Sequence, residues 1–287
     1  MVRRRLTKMS KIKKMIIGVL LLTITVGLSG CGRLYMPILK PGKWIWGTQI
    51  IGSGETMTIE PGTKVFMSPD VILFFIPAGE TGELIIKDGG KLIAQGTKDN
   101  PIIWGEDRTG GGHIYFQETA SDESIIEYCE FNEGYPITVE NSTTIQYCKF
   151  NNVKTFLTQH SNSLFQYNSI LNSEIYGGNV CVTGDNGINP SPSIYYNDIE
   201  NGGEGIQVGF LSFPIGTPKI EYNNVKNTNE EAIYYYSDIS TQTLKIENNF
   251  IINCNGKSGV DTTGEQSKNV TYTNPRTTPV SNAGCGW

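Results

Sequence analysis

Through the middle of the chain, apolar and polar positions alternate over three or four residues, break, and then alternate again in the same words. The phrase reads Ile126-Glu127-Tyr128-Cys129-Glu130-Phe131, then Ile145-Gln146-Tyr147-Cys148-Lys149-Phe150, then Phe165-Gln166-Tyr167-Asn168-Ser169-Ile170. It continues as Ile194-Tyr195-Tyr196-Asn197-Asp198-Ile199, Ile220-Glu221-Tyr222-Asn223-Asn224-Val225 and Ile246-Glu247-Asn248-Asn249-Phe250-Ile251. Successive starts lie 19, 20, 29, 26 and 26 residues apart. Period-two alternation predicts a short strand, and the break predicts a tight turn. Recurrence at this spacing predicts stacked repeats, each burying its apolar side against the next.

The position after the tyrosine reads Cys129, Cys148, Asn168, Asn197, Asn223, Asn249. Asparagine tolerates a left-handed backbone, so this position is expected to make the sharp corner. In repeats stacked about 4.8 Å apart its amides can bond to one another as a ladder. Asn152, Asn172, Asn201, Asn227 and Asn253 form a second polar column. A second strand follows each phrase, with Ile137/Val139, Phe156/Thr158, Val180/Val182, Ile206/Val208 and Ile233/Tyr235 expected to point inward. The tyrosine column itself either faces in or lines the corner.

Three short strands per turn with tight corners make an all-β parallel coil. An antiparallel sandwich would not keep one residue type in one column, and a leucine-rich solenoid would show its Leu spacing and helices. With the opening rungs Ile59-Glu60-Pro61-Gly62-Thr63-Lys64-Val65 and Gly90-Lys91-Leu92-Ile93-Ala94-Gln95-Gly96-Thr97, followed by Asn100-Pro101-Ile102, the chain resembles the pectin-lyase-like superfamily. The resemblance implies a right-handed parallel β-helix over residues 50–272. Residues 31–49, with Trp44 and Trp46, are expected to cap its first rung, and 273–287 to be a polar tail, either cap or loose end.

The first 30 residues have a different pattern. Seven basic residues, from Arg3 to Lys14, precede an apolar run from Met15 to about Leu28, which is too short for a bilayer core needing about 20 residues. The run ends Leu28-Ser29-Gly30-Cys31 and resembles the bacterial lipobox. That resemblance implies a signal peptide over 1–30, acylation of Cys31 and extracytoplasmic attachment to a membrane of the cell envelope.

Charge follows from that cleavage. The whole chain has 23 Lys+Arg against 28 Asp+Glu, and the leader holds seven of the basic residues and no acidic one. The remainder carries a net −12, with Arg33, Arg108 and Arg276 as its arginines. Nucleic acid is thereby disfavoured as a partner, as are acidic polysaccharides without a bridging cation.

In enzymes of this superfamily, substrate lies along the outside of one sheet, walled by neighbouring loops. The long insertions 184–192, 210–218 and 237–242 are expected to build such a wall. Thr183, Gln207, Tyr234 and Tyr236 should face out beside it, with Tyr195 outward on another strand. Flat rings and amides at Tyr195, Gln207, Tyr234 and Tyr236 suit sugar binding. Asp185, Glu204, Glu230 and Glu231 are the candidate carboxylates for a hydrolase, which needs two about 5–9.5 Å apart. The Asn-x-Asp, Asp-Asp, Gly-His-Gly and Arg-x-Lys sets of the polygalacturonase type are absent. A lyase would require Ca²⁺, with Lys219 or Lys226 as base. Otherwise no cofactor is expected. His113 and His160, about two rungs apart, lack the partners of a metal site, and none is expected. Cys129 and Cys148, one rung apart, are either buried thiols or a strained disulfide. The sequence therefore leads to a lipid-anchored envelope β-helix that binds glycan or serves as structure, with a polysaccharide lyase or hydrolase as the alternative.

Overall fold

The computed structural model describes residues 37–67, 82–105, 112–132, 136–153, 155–158, 161–173, 180–183, 191–209, 217–236, 244–254, 260–263, 270–272 and 276–287. The unit Pro37–Trp287 is a right-handed parallel β-helix. Its strands fall into a ten-stranded sheet A and two nine-stranded sheets, B and C, and the chain visits A, B and C in turn on every rung. All pairings between named strands are parallel.

The repeated phrase stacks in register. Ile126, Ile145, Phe165, Ile194, Ile220 and Ile246 are successive Cα partners in sheet A, all fully buried. Phe131, Phe150, Ile170, Ile199 and Val225 do the same in sheet B. Rings stack where large residues follow one another, with Trp104–Phe131 centroids 5.7 Å apart and Phe131–Phe150 5.0 Å. Sheet C contributes Ile137 and Val139, then Val180 and Val182, then Ile206 and Val208, all fully buried.

One inward pair differs from the sequence reading. Ile137 and Val139 are in register with Thr155 and Leu157, which are buried, rather than with Phe156 and Thr158. A slip of one residue exchanges the two faces of a strand. Here Leu157 is held inside between Val139 and Val182, and that fixes the parity of the strand.

From Tyr128 on, the corner between sheets A and B is one or two residues long. Its backbone carries a left-handed residue, but at the tyrosine rather than at the ladder position. Tyr128, Tyr147, Tyr167, Tyr196 and Tyr222 have φ of 48, 55, 54, 54 and 60°, and Asn248 takes the same place on the next rung with 57°. The expectation that the following residue makes the turn is thus corrected. Positive φ is costly for a bulky residue. It is offset here by ring stacking, since neighbouring tyrosine centroids lie 5.0–5.1 Å apart and within 9° of parallel. The column lines the corner and is half-buried.

With the turn made one residue earlier, the ladder position is free to point inward. Asn197 shows the unit. Its Oδ1 accepts from the Asn168 backbone N–H at 2.9 Å, and its Nδ2 donates to the Phe165 carbonyl at 3.0 Å and to Asn223 Oδ1 at 3.0 Å. Asn168, Asn223 and Asn249 repeat the pattern, and all four are essentially unexposed. The thiols continue it by the same carbonyl contact, Cys148 Sγ to Ile126 O at 3.7 Å and Cys129 Sγ to Ala94 O at 3.5 Å. Both cysteines are free, and burial raises the Cys148 thiol pKa. In the outer column, Asn201 donates to Asn172 at 2.9 Å and Asn253 to Asn227 at 3.1 Å.

Both ends of the coil differ from expectation. The segment read as a cap is itself the first rung: Ile38–Leu39 pairs with 58–59, and Gly42–Trp46 with Thr63–Met67. The closing segment is neither cap nor loose end. It runs back over the outside of sheet B, one rung at a time. Arg276 bridges Phe250, Val280 exchanges two hydrogen bonds with the Asn224 amide, and Gly284 N–H donates to Tyr196 O at 2.7 Å. Cys285 N–H donates to Ser169 Oγ at 3.2 Å, and the Trp287 indole donates to Tyr147 O at 2.9 Å under the Lys149 ammonium. Val280 and Cys285 are buried by this strap.

Asn197→Ala removes three buried hydrogen bonds and strands a backbone N–H and a carbonyl, which should cost about 2–4 kcal/mol. Asn201→Ala, in the outer column, loses one exposed hydrogen bond and places alanine at a φ of 60°, which should cost about 1 kcal/mol. Urea denaturation of the two variants beside the parent measures the difference, and equal midpoints would show that the buried ladder does not carry the corner.

Candidate functional site

Three outer faces are available, and the chain treats them differently. The strap covers the Ser169–Asp198–Asn224–Phe250 column of sheet B, and the Lys226 ammonium adds an ion pair to Asp198 at 2.7 Å. Sheet A presents a column of long polar side chains bonded to one another. Gln95 and Gln146 donate to the two oxygens of Glu127 at 3.0 and 3.1 Å, and Gln166 donates to Gln146 at 2.9 Å. Tyr195 is the next register position of that column. Sheet C is bordered by long connections. The chain returns from it to sheet A through 184–192, 209–218 and 237–243, against one or two residues at the A–B corner. Of the expected wall, 184–190, 210–216 and 237–243 lie outside the described residues.

On sheet C, Gln207 and Tyr234 are register partners on adjoining rungs, each half-buried. Cys181, one rung earlier, points its thiol at Gln207 Oε1, 3.5 Å away. Tyr195 belongs to a different sheet, so it is not brought together with this pair. Tyr236 is in register with Thr263, and the side chains of Tyr236 and Thr183 fall outside the described set, as do Cys31, His160 and Asp185. Lys219 stands exposed on sheet A and Lys226 is paired on sheet B, so neither candidate base reaches sheet C. Strand parity and sheet assignment separate residues that are close in sequence.

Three of the four candidate carboxylates do converge. One oxygen each of Glu204, Glu230 and Glu231 lies within 4.8 Å of the others, at the corner that leads from sheet B into sheet C. Glu204 is 8% exposed, Glu231 half-buried and Glu230 exposed. Backbone bonds draw the two rungs together: Glu230 N–H donates to Gly203 O at 3.2 Å and Gly205 N–H to Glu231 O at 3.0 Å, while Thr228 Oγ1 donates to Glu230 O at 2.9 Å. Gly205 makes this approach possible, since a Cβ there would stand 2.4 Å from Ala232 O and 2.5 Å from Val225 Cγ1. These oxygens are all closer together than the ~5–5.5 Å between the carboxyl groups of a retaining glycosidase pair. The all-oxygen donor set is of the kind that holds a hard cation such as Ca²⁺.

A second cluster on sheet C was not foreseen from sequence. His113 and Tyr115 alternate outward on one strand with rings 5.7 Å apart and 7° from parallel. His113 Nε2 meets Thr138 Oγ1 at 2.9 Å, and its Nδ1 stands 4.0 Å from Glu83 Oε1. Tyr115 hydrogen-bonds to Glu140, and burial together with that carboxylate raises the tyrosine pKa. Burial lowers the His113 pKa, with Glu83 opposing, so the neutral imidazole is favoured. These residues precede or flank the first repeated phrase, so column alignment did not reach them. Outward alternation in His113–Phe116 was the available signal.

Comparison with protein-family models, curated proteins and solved structures returns no match.

Gly205→Ala should destabilise the coil by about 1–3 kcal/mol through overpacking against Ala232 and Val225. A thermal melt unchanged from the parent would mean that the two rungs are not held this closely.

Proposed function

We propose that this chain is a lipid-anchored cell-envelope protein, held through Cys31, whose β-helix presents sheet C as a non-catalytic carbohydrate-binding surface. The observation that carries the reading is the difference among the faces. Sheet B is overlaid by the chain's own end, and sheet A satisfies its long side chains with one another. Sheet C, bordered by long connections, presents half-buried rings and an amide in register across rungs. Such a surface suits a glycan laid across the strands, its sugar faces against Tyr115 and Tyr234 and its hydroxyls bonded by Gln207 and Thr138. A rigid coil holds these groups before the ligand arrives, which lowers the ordering cost of binding.

A second reading, glycoside hydrolase or lyase, is favoured by the convergence of Glu204, Glu230 and Glu231. The binding reading ranks first because neither lysine proposed as a lyase base is on sheet C, and the polygalacturonase motif sets are missing.

On a glycan array, the full chain in detergent should bind at least one polysaccharide, and Tyr234→Ala should weaken it about three- to tenfold, the worth of one aromatic contact. Full retention of affinity in that variant would place the ligand elsewhere. Reducing-end release by the parent, lost in Glu204→Gln and Glu231→Gln with or without Ca²⁺, would establish the enzyme reading instead.

Cys31→Ala should move the protein from the membrane fraction to the soluble fraction after cell lysis, since acyl chains on that thiol are the proposed attachment. Unchanged membrane partition would rule out this anchor.

A further inference from the structure

The cluster at the early rungs of sheet C gives the ligand a charge class, an inference that rests on the carbohydrate-binding reading. Glu83, His113, Tyr115, Thr138 and Glu140 lie on three successive rungs. Glu83 is the register partner of His113, and Tyr115 that of Thr138. The imidazole and phenol rings are stacked, with centroids 5.7 Å apart and planes 7° from parallel, and an outer face of such a stack is an apolar surface against which a sugar ring can pack. A carboxylate stands at each end of it, Glu83 beside the imidazole and Glu140 beside the phenol. Glu83 is half-buried, with 39% of its side-chain surface accessible. Among the described residues of this neighbourhood the basic side chain is Lys87, and it is engaged with Asp88 at 3.5 Å. Further along the same sheet, the Glu204–Glu230–Glu231 corner adds more negative charge at the border.

We propose that the His113–Tyr115 platform is the seat of a pyranose bearing a free amino group, so that the glycan bound along sheet C is an amino-sugar polymer lacking N-acetylation. The ring's C–H face rests on an outer face of the aromatic stack, its ammonium lies toward Glu83 or Glu140, and Thr138 Oγ1 bonds a hydroxyl. An ammonium above aromatic faces gains a cation–π attraction in addition to its carboxylate. A polyuronate meets like charges at both ends of the platform and is repelled. The favoured neutral state of His113 leaves the platform without a cation of its own to repel an amine.

The test uses the purified full chain in detergent and isothermal titration with four probes: a glucosamine hexamer, its fully N-acetylated counterpart, an oligogalacturonate with and without Ca²⁺, and an oligolysine of the same charge as the first. The expected result is tightest binding of the glucosamine hexamer, about tenfold over the acetylated form at low salt, with the preference shrinking as salt is raised. Glu83→Gln combined with Glu140→Gln should remove most of that preference while leaving the acetylated hexamer within about twofold. Glutamine still accepts the Tyr115 hydrogen bond, and the thermal melt of the double variant checks that the coil is intact. Equal affinity for the two hexamers, tighter binding of the oligogalacturonate, or an unchanged preference in the double variant would overturn the amino-sugar assignment and leave the glycan reading standing. Oligolysine binding as tightly as the hexamer would overturn it too, by reducing the site to charge alone. If no saccharide binds under any condition, the carbohydrate reading itself fails.

Discussion

The structure depends on one buried column of hydrogen bonds. At the A–B corners of the repeated phrase the chain turns sharply between two apolar columns, and the turn leaves a backbone N–H and a carbonyl inside the coil. Asn168, Asn197, Asn223 and Asn249 satisfy both with one side chain, accepting from the N–H of the rung before and donating to a carbonyl further back. A buried polar group without a partner costs more than a made bond gains, so removing one of these amides is expected to cost more than the bonds it makes. The cysteines at the start of the ladder meet the same carbonyls with weaker donors. Their rungs lean more on ring packing among Trp104, Phe131 and Phe150.

That constraint also arranges the outside. Along the repeated phrase this corner stays at one or two residues, and the extra residues of those rungs collect at the borders of sheet C. One ordinary strand face is thereby framed by long connections. The strap pushes in the same direction. By bonding rung after rung along sheet B, from Phe250 to Tyr147, it occupies the face opposite the insertions and ties the late rungs to the early ones. Solenoid rungs otherwise touch only their neighbours. A segment that crosses several of them couples their stability.

Much of this was legible in the sequence where a column repeats. The stacked isoleucines, the asparagine ladder, the second asparagine column and the outward parity of Gln207 and Tyr234 are period-two consequences of one phrase. Three of four candidate carboxylates meet because adjoining rungs place equivalent loop positions side by side. The errors have a common source. Assigning the left-handed residue to Asn rather than Tyr followed residue propensity, whereas ring stacking from rung to rung offsets the backbone cost at the tyrosines. Placing Phe156 rather than Thr155 inside followed hydrophobicity, whereas the register of neighbouring strands fixed the parity.

By itself, the sequence determined the repeat, the strand phase within each phrase, and hence a parallel coil with a polar ladder, because these follow from local alternation and from identical residues stacking on themselves. Tertiary structure alone decided that Tyr195 and Gln207 lie on different sheets, that residues 276–287 lie on sheet B, and that His113, Thr138 and Glu83 meet on one face. Those contacts join positions with no common place in the repeat. Their partners are set by the number of residues in each turn of the coil, which no local pattern encodes.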